Sequence, residues 1–480
     1  MAGSEAESAT TSAMRRRVSE LFEKGAEFSS SSAREALKAL RLASYGTHGF
    51  LEAALFAPLG ALIDMHRIAS SSLGATLRGE RAAPEFFREM GLRFFAGARF
   101  RRLAATLGKE LFGSAVFAGE EVLTEGEHFR LTYIPPRKGV EQAPVAIFHA
   151  AGAIPYGDRI FRILPEANLF DRFRERGLPV YAMELRGTRK EVDYSGLTLE
   201  KLVETIEQLS EVAFEHACGR KMVLEGYCGH GMQALAYAAA KPADADRKFC
   251  AACVFVSPID GTQCAELGAL MQITPEPMLS FNLALWEALS GYVPADSMRT
   301  GIDLALRTMF AKSLGGAFLA GWRQPDYARI ERIADLDAAE RRELAGAYWL
   351  SRENADDFAL PVGLARFASS LFTKGISPRG DIPYAYRGKP LSLRAILEGT
   401  RLELVGIFGG KDVIAPDRTA YPLISVFGRR YRHVVHPEAG HVSYIFAPSI
   451  WQPGAPGALD PNPIDCILEA AARGKRARPD

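Results

Sequence analysis

The chain has 480 residues, 48% of them hydrophobic and 24% charged, the balance of a globular protein with a sizeable core. With 58 Lys+Arg against 57 Asp+Glu the formal net charge is +1, so no charge surplus argues for nucleic acid or a strongly acidic partner. Six cysteines are too few for a disulfide scaffold, and the close pair Cys250 and Cys253 lacks a second CxxC for zinc, which fits a reducing, cytoplasmic compartment.

At roughly 150 residues per domain, a chain of this length holds about two or three domains. Residues 1–15 read as a disordered tail with no apolar stretch of the kind a secretory signal needs. Residues 16–114 form a helical region, rich in Ala, Leu, Arg and Glu, with Phe22, Phe28, Leu37, Leu40 and Leu42 at loose helical spacing. Its most apolar helix candidate is Gly49–Ile68, either packed on the main core or facing a hydrophobic particle or a second subunit. The longest apolar run, Phe50–Ile63, falls short of the ~20 residues of a membrane span and is interrupted by Glu52 and Pro58.

From residue 115 to 258 short apolar strands alternate with helices. Phe129–Ile134 alternates like a half-buried strand, Val145–Phe148 is a short buried run, and a helix follows near Asn168–Arg176. Val180–Met183, Lys221–Leu224 and Phe249–Val256 are further buried strands, and Leu199–His216 is a long amphipathic helix. The pattern predicts an α/β fold with a mostly parallel sheet and helices on both faces. Residues 259–389 break the rhythm and read as an inserted helical cap that includes Tyr348-Trp349 and a helix at Leu360–Phe372. The sheet resumes over 390–450 with Leu402–Phe408 and Arg432–Val435. A tail over 451–480 carries a short helix, Ile464–Ala472, and a basic end expected to be solvated.

The chemistry concentrates where Lys221–Leu224 runs into Glu225-Gly226-Tyr227-Cys228-Gly229-His230-Gly231. A strand, a tight glycine-rich turn and a helix with Cys228 at the apex follow the logic of a nucleophile elbow. The helix N-terminus would favour a thiolate and place the Gly229 N–H to meet an oxyanion. Such a nucleophile needs a base and an orienting carboxylate, which α/β-hydrolase chains supply in the order nucleophile, acid, histidine. Asp412 follows the strand Leu402–Phe408 in Gly409-Gly410-Lys411-Asp412, and His441 follows Arg432–Val435. All three then lie on one edge of the sheet. Alone, each pattern is equally a structural turn, a loop or a surface histidine; together, in this order, they point to a Cys-His-Asp enzyme.

His149-Ala150-Ala151-Gly152 follows the first buried strand, where the second oxyanion donor belongs, making Ala151 and Gly152 candidates. His149, His230 and Tyr227 are candidate pocket residues. His230 stands where a glycine normally relieves crowding, so it is either a variant elbow or an extra polar group. His128, His216, His433 and His436 are expected at surface or cap positions.

Several stretches together resemble the polyhydroxyalkanoate synthases, a branch of the α/β-hydrolase superfamily with a cysteine nucleophile. They are Arg162–Phe170 with Arg176–Tyr181, Leu197–Ile206, Gly226-Tyr227-Cys228, Tyr348-Trp349 with Leu360-Pro361, Tyr386–Leu393, Lys411–Pro416 and Gly440-His441-Val442. The box departs from the family's Gly-Tyr-Cys-x-Gly-Gly at His230, and the first-strand loop lacks the family's Pro-Pro-Trp type sequence. The resemblance implies that Cys228 accepts the acyl group, with His441 as base and Asp412 as its partner. It further implies 3-hydroxyacyl-CoA as substrate, no metal or bound cofactor beyond coenzyme A in the substrate, and a cytoplasmic location at a polyester granule surface; the helical N-terminal region and the cap are compatible with a homodimer. Two rivals remain: a thioesterase or intracellular polyester depolymerase on the same scaffold, and a non-catalytic granule-associated homologue.

Overall fold

The computed structural model describes residues 57–152, 154–298 and 325–476. Its strands are β1 (Glu121–Glu125), β2 (Phe129–Ile134), β3 (Ile147–His149), β4 (Val180–Leu185), β5 (Met222–Tyr227), β6 (Phe249–Phe255), β7 (Asp381–Tyr386), β8 (Lys389–Ser392), β9 (Glu403–Gly409) and β10 (Tyr431–His436). Eight of them make one sheet in the order β1-β2-β4-β3-β5-β6-β9-β10, and β7 and β8 pair apart from it. The pairs β1–β2 and β2–β4 are antiparallel; β4–β3, β3–β5, β5–β6, β6–β9 and β9–β10 are parallel. This is the α/β-hydrolase type of fold expected from the alternation of buried strands and helices.

Side-chain alternation divides the core in two. Ile147, Val223, Cys253, Val405 and Val434 bury against one layer, which includes Ile464, Ile467, Ala470 and Ala471 of the helix Pro463–Arg476. Phe148, Leu224, Ala252 and Leu404 bury against the other, formed by the helices Leu199–His216, Gly229–Ala240 and Leu393–Gly399. The helix Leu199–His216 shows why such segments form. Thr198 caps its start by accepting the Lys201 N–H, and Leu199, Leu202, Val203, Ile206, Leu209 and Ala213 recur every three or four residues on the buried side.

From β3 the chain steps to β4 on one side and then returns past β3 to β5 on the other. The order therefore reverses at β3, leaving a crevice at the carboxyl ends of β3 and β5, where open α/β sheets place ligands.

Several elements differ from the sequence expectation. β3 starts at Ile147 and contains His149, and β5 continues through Tyr227 to the residue before the turn. The edge strand β1 is mostly exposed, so it has no apolar alternation to announce it. The insertion holds the helices Ala265–Ile273, Glu276–Leu289, Ala338–Trp349, Arg352–Asp357 and Val362–Lys374, but ends in the hairpin β7–β8. Pro383 hides that hairpin from a strand pattern. Its two-residue turn, Arg387-Gly388, has both φ angles positive, the geometry that matches strand twist.

In the N-terminal region, the helices Ala57–Leu77 and Ala83–Leu103 precede a π turn over Ala104–Gly108. Arg99 donates to the carbonyls of Ala328 (3.1 Å) and Ile330 (2.6 Å), and the rings of Phe100 and Tyr327 are 5.0 Å apart. Residues 1–56, which hold the expected tail, Phe22, Phe28, Leu37, Leu40, Leu42 and the start of the candidate Gly49–Ile68, lie outside the described residues, as do 299–324 of the insertion. No helix among the described residues is long and apolar enough to cross a membrane.

The basic C-terminal end continues the last helix, with Lys475 exposed as expected. The last helix runs Pro463–Arg476, and its buried stripe Ile464, Ile467, Ala471 reaches Gly474 against β6. A Cβ on Gly474 would stand 1.9 Å from the Cys250 carbonyl oxygen, and Lys475 donates to Pro144 O at 2.9 Å. Gly474→Ala is therefore expected to destabilise the protein by roughly 1–3 kcal/mol through overpacking. Gly91→Ala, at a helical site with nothing within 4 Å of the new Cβ, should stabilise it by about 0.5–1 kcal/mol. Denaturant midpoints of the two variants against wild type check the contrast.

Candidate active site

β5 delivers six consecutive buried residues to the turn, and Cys228 follows with φ 53 and ψ −129. Positive φ on a side-chain-bearing residue costs of order 1–3 kcal/mol and persists only where the surroundings enforce it. Here Gly226 of the strand and Gly231 of the helix lie against each other. A Cβ on Gly226 would come within 2.6 Å of Gly231 Cα, and one on Gly231 within 1.9 Å of Ser257 Oγ. The turn is tied by Cys228 N–H to Phe255 O (2.8 Å) and Gly231 N–H to Cys228 O (3.1 Å). The crowded contact thus involves positions 226 and 231, which leaves position 230 free to carry a large side chain.

Of the six cysteines, Cys250, Cys253, Cys264 and Cys466 are buried, and burial pushes each of their thiols upward. Cys228 alone combines partial exposure with a helix N-terminus and a histidine partner.

Asp412 and His441 come from the loops after β9 and β10, and two glycines explain how these loops meet. A Cβ on Gly409 would lie 2.3 Å from Ala439 O, and one on Gly410 would lie 2.7 Å from Pro437 O. Gly410 N–H bonds His436 O (2.8 Å) and Lys411 N–H bonds Ala439 O (2.9 Å). Asp412, buried, accepts from the N–H groups of Ile414 (2.8 Å) and Ala415 (2.9 Å) on one oxygen and from His441 Nδ1 (2.8 Å) on the other. That leaves His441 Nε2 available toward Cys228, whose charge acts on the ring. Burial alone would lower His441; the charges of Asp412 and Cys228 and the hydrogen bond to Asp412 override this and push it up to about 10. Tyr227, immediately before the nucleophile, donates its hydroxyl to the His441 carbonyl and is raised well above its ordinary range by burial.

The oxyanion candidates also meet. Ile154 packs on Gly229, where an added Cβ would be 3.1 Å from its Cγ2, so the loop after β3 covers the start of the nucleophile helix. Ala151 and Gly152 are buried in that loop. Gly152 O accepts from His230 Nε2 at 2.8 Å.

Of the remaining histidines, His216 is exposed as expected and His433 half-buried, while the others depart from expectation. His149 lies inside β3, side by side with Glu225 of β5, and its Nδ1 bonds that carboxylate, so it is a core residue rather than a loop or pocket one. His128 and His436 are buried too, His436 between the Tyr444 hydroxyl and the Pro461 carbonyl. His216 contacts the Tyr181 hydroxyl, and His433 that of Tyr431. None of these four lies in the cap.

Two polar residues were not foreseen. Glu225 left a signal, as a lone acid in an otherwise apolar strand run, Met222-Val-Leu-Glu-Gly-Tyr227. Asn354, fully buried in the insertion, donates to Tyr156 O (2.9 Å) and Trp349 O (2.7 Å), and nothing local announces it.

No family model and no curated protein matches the chain. Among solved structures it is similar to a putative aryl esterase from Burkholderia cenocepacia, at 12% identity over 73% of this chain and 99% of that one, TM-score 0.37. It is similar to alpha/beta hydrolase domain-containing protein 10 from mouse at 11% over 73% and 99%, TM-score 0.38. The thioesterase domain from the curacin biosynthetic pathway is similar at 12% over 68% and 95%, TM-score 0.34.

A histidine raised from 6.5 to about 10 stabilises the fold fully below 6.5, and that contribution is lost as pH rises through about 10. The melting-temperature gap between wild type and His441→Gln should therefore shrink as pH is raised from 6.5 to about 10. A gap independent of pH would show that no imidazolium is held there.

Proposed function

We propose that the chain is an acyltransferase of the polyhydroxyalkanoate synthase type, polymerising 3-hydroxyacyl-CoA through an acyl-enzyme on Cys228. The observation that supports this best is a cysteine, rather than a serine, at a strained strand–helix turn, beside a histidine that a buried carboxylate orients. Thiolates exchange readily with thioesters, so this nucleophile suits acyl transfer from coenzyme A.

His441 takes the Cys228 proton and the thiolate attacks the thioester carbonyl. The oxyanion forms beside the Gly229 N–H at the helix N-terminus, facing the loop of Ala151 and Gly152. The carbon–sulfur bond to coenzyme A breaks, the leaving thiolate takes the proton from His441, and the acyl group remains on Cys228. The 3-hydroxyl of another acyl unit then gives its proton to His441 and attacks this thioester, forming the new ester and restoring the Cys228 thiol. Asp412 holds Nδ1 of His441 in place, so that the proton exchanged in both transfers is the one on Nε2. The helical insertion, packed over the loop through Tyr156 and Asn354, limits the water that would otherwise hydrolyse the intermediate. A granule location and a 3-hydroxyacyl substrate belong to the same reading and rest on the sequence resemblance. The hydrogen bond that orients His441 on buried Asp412, beside the Cys228 turn, favours this reading over a non-catalytic homologue.

The test is coenzyme A release from (R)-3-hydroxybutyryl-CoA and longer analogues, with the products sized. Wild type should release thiol and form polyester, Cys228→Ala and His441→Ala should release essentially none, and Asp412→Asn should lose roughly 10²–10⁴-fold. Release of free acid alone, still dependent on both residues, would replace the synthase by a thioesterase. No release by folded wild type would overturn the proposal.

A further inference from the structure

The cluster that this mechanism leaves unused is a row of buried polar groups behind the nucleophile. Glu225 and His149 are neighbours on β5 and β3 and bond through His149 Nδ1. The His149 ring stands edge-on to His230, centroids 5.9 Å apart, and His230 Nε2 bonds Gly152 O at 2.8 Å. All three side chains are essentially inaccessible, and Phe161 packs its ring on both imidazoles. A carbonyl can only accept, so His230 carries its proton on Nε2. Its Nδ1 has no hydrogen-bond partner, and burial, more than the neighbouring His149, pushes His230 down to about 3. It is a neutral, single-tautomer donor.

Its target is specific. Gly152 also lies on Gln233, whose Oε1 would be 1.5 Å from a Cβ at that position. Positions 230 and 233 are three apart on the helix Gly229–Ala240 and share one face. The helix that starts at the nucleophile therefore holds the opposing loop at one glycine, by a hydrogen bond from one side chain and by contact with the other. A hydrophobic side chain of His230's size could fill the space but could not hold the carbonyl.

We propose that His230 is a positioning residue for acyl transfer: by donating to Gly152 O it orients the loop after β3 against the acyl oxygen, without touching substrate itself. The inference rests on the acyl-enzyme reading above. It predicts that His230 matters for reactions that build negative charge on a carbonyl oxygen and not for those that only require a reactive thiol.

Two reactions of Cys228 separate these. Alkylation by iodoacetamide forms a carbon–sulfur bond with loss of iodide and no oxyanion. Acylation by p-nitrophenyl acetate forms a thioester with loss of p-nitrophenolate through a tetrahedral oxyanion. Both rates would be measured on the full chain, wild type, His230→Leu and His230→Gln, with Cys228→Ala as the blank and melting curves as the folding check. His230→Leu should alkylate within about twofold of wild type but acylate roughly 10- to 100-fold more slowly, and His230→Gln, which keeps an N–H donor, should recover part of the loss. Equal losses in both reactions, or no loss in acylation, would overturn the proposal and leave the acyl-enzyme reading standing. Wild type that alkylates but never acylates would overturn that reading, and this one with it. If His230→Leu does not fold, the ratio of the two rates in His230→Gln decides alone: a ratio lowered more than that of Leu-sized control changes elsewhere supports the proposal, and both rates lowered alike overturn it.

Discussion

Cys228 holds a positive φ because Gly226 and Gly231 press together beneath it, and this contact governs the geometry of the whole site. The strand and the helix approach closely enough to force the turn only because neither carries a Cβ at the crossing. Ser257, at the end of β6, fills the remaining space behind Gly231. The turn lifts the sulfur off the sheet edge and places it at the positive end of a twelve-residue helix. The strain of the backbone, of order 1–3 kcal/mol, is offset by the burial of β5 on both faces.

The same principle of close backbone approach assembles the base. Gly409 and Gly410 let the loop after β9 lie on the loop after β10, so that Asp412 and His441 are joined by backbone ties before their side chains meet. His441 is further held by the Tyr227 hydroxyl, which ties the residue before Cys228 to the loop after β10. The three parts of the site are thus fastened to one another as well as to the sheet.

The oxyanion loop is held from two sides. Below, His230 and Gln233 meet Gly152; above, Asn354 bonds Tyr156 O while the Tyr156 ring stands 6.0 Å from Trp349. A shift of the insertion therefore pulls on the loop after β3, which lies against the start of the helix that follows Cys228.

The sequence by itself determined what is local. Buried strands announced themselves as short β-branched or apolar runs, the helix Leu199–His216 by its period, and Cys228, Asp412 and His441 by their places just after strands. Those positions follow from chain order because a parallel sheet brings every strand's carboxyl end to one edge. Strands without an apolar pattern, β1 and the Pro383-containing β7, stayed invisible. So did the fates of His149 and His230. His149 paired with Glu225 because β3 and β5 are neighbours 76 residues apart in the chain, and His230 became a donor to Gly152 because the crossing glycines lie at 226 and 231. Such pairings depend on strand order, register and which residue faces the crowded side of a helix. Only the tertiary structure decides these, because a buried polar group is satisfied by whatever the fold brings beside it.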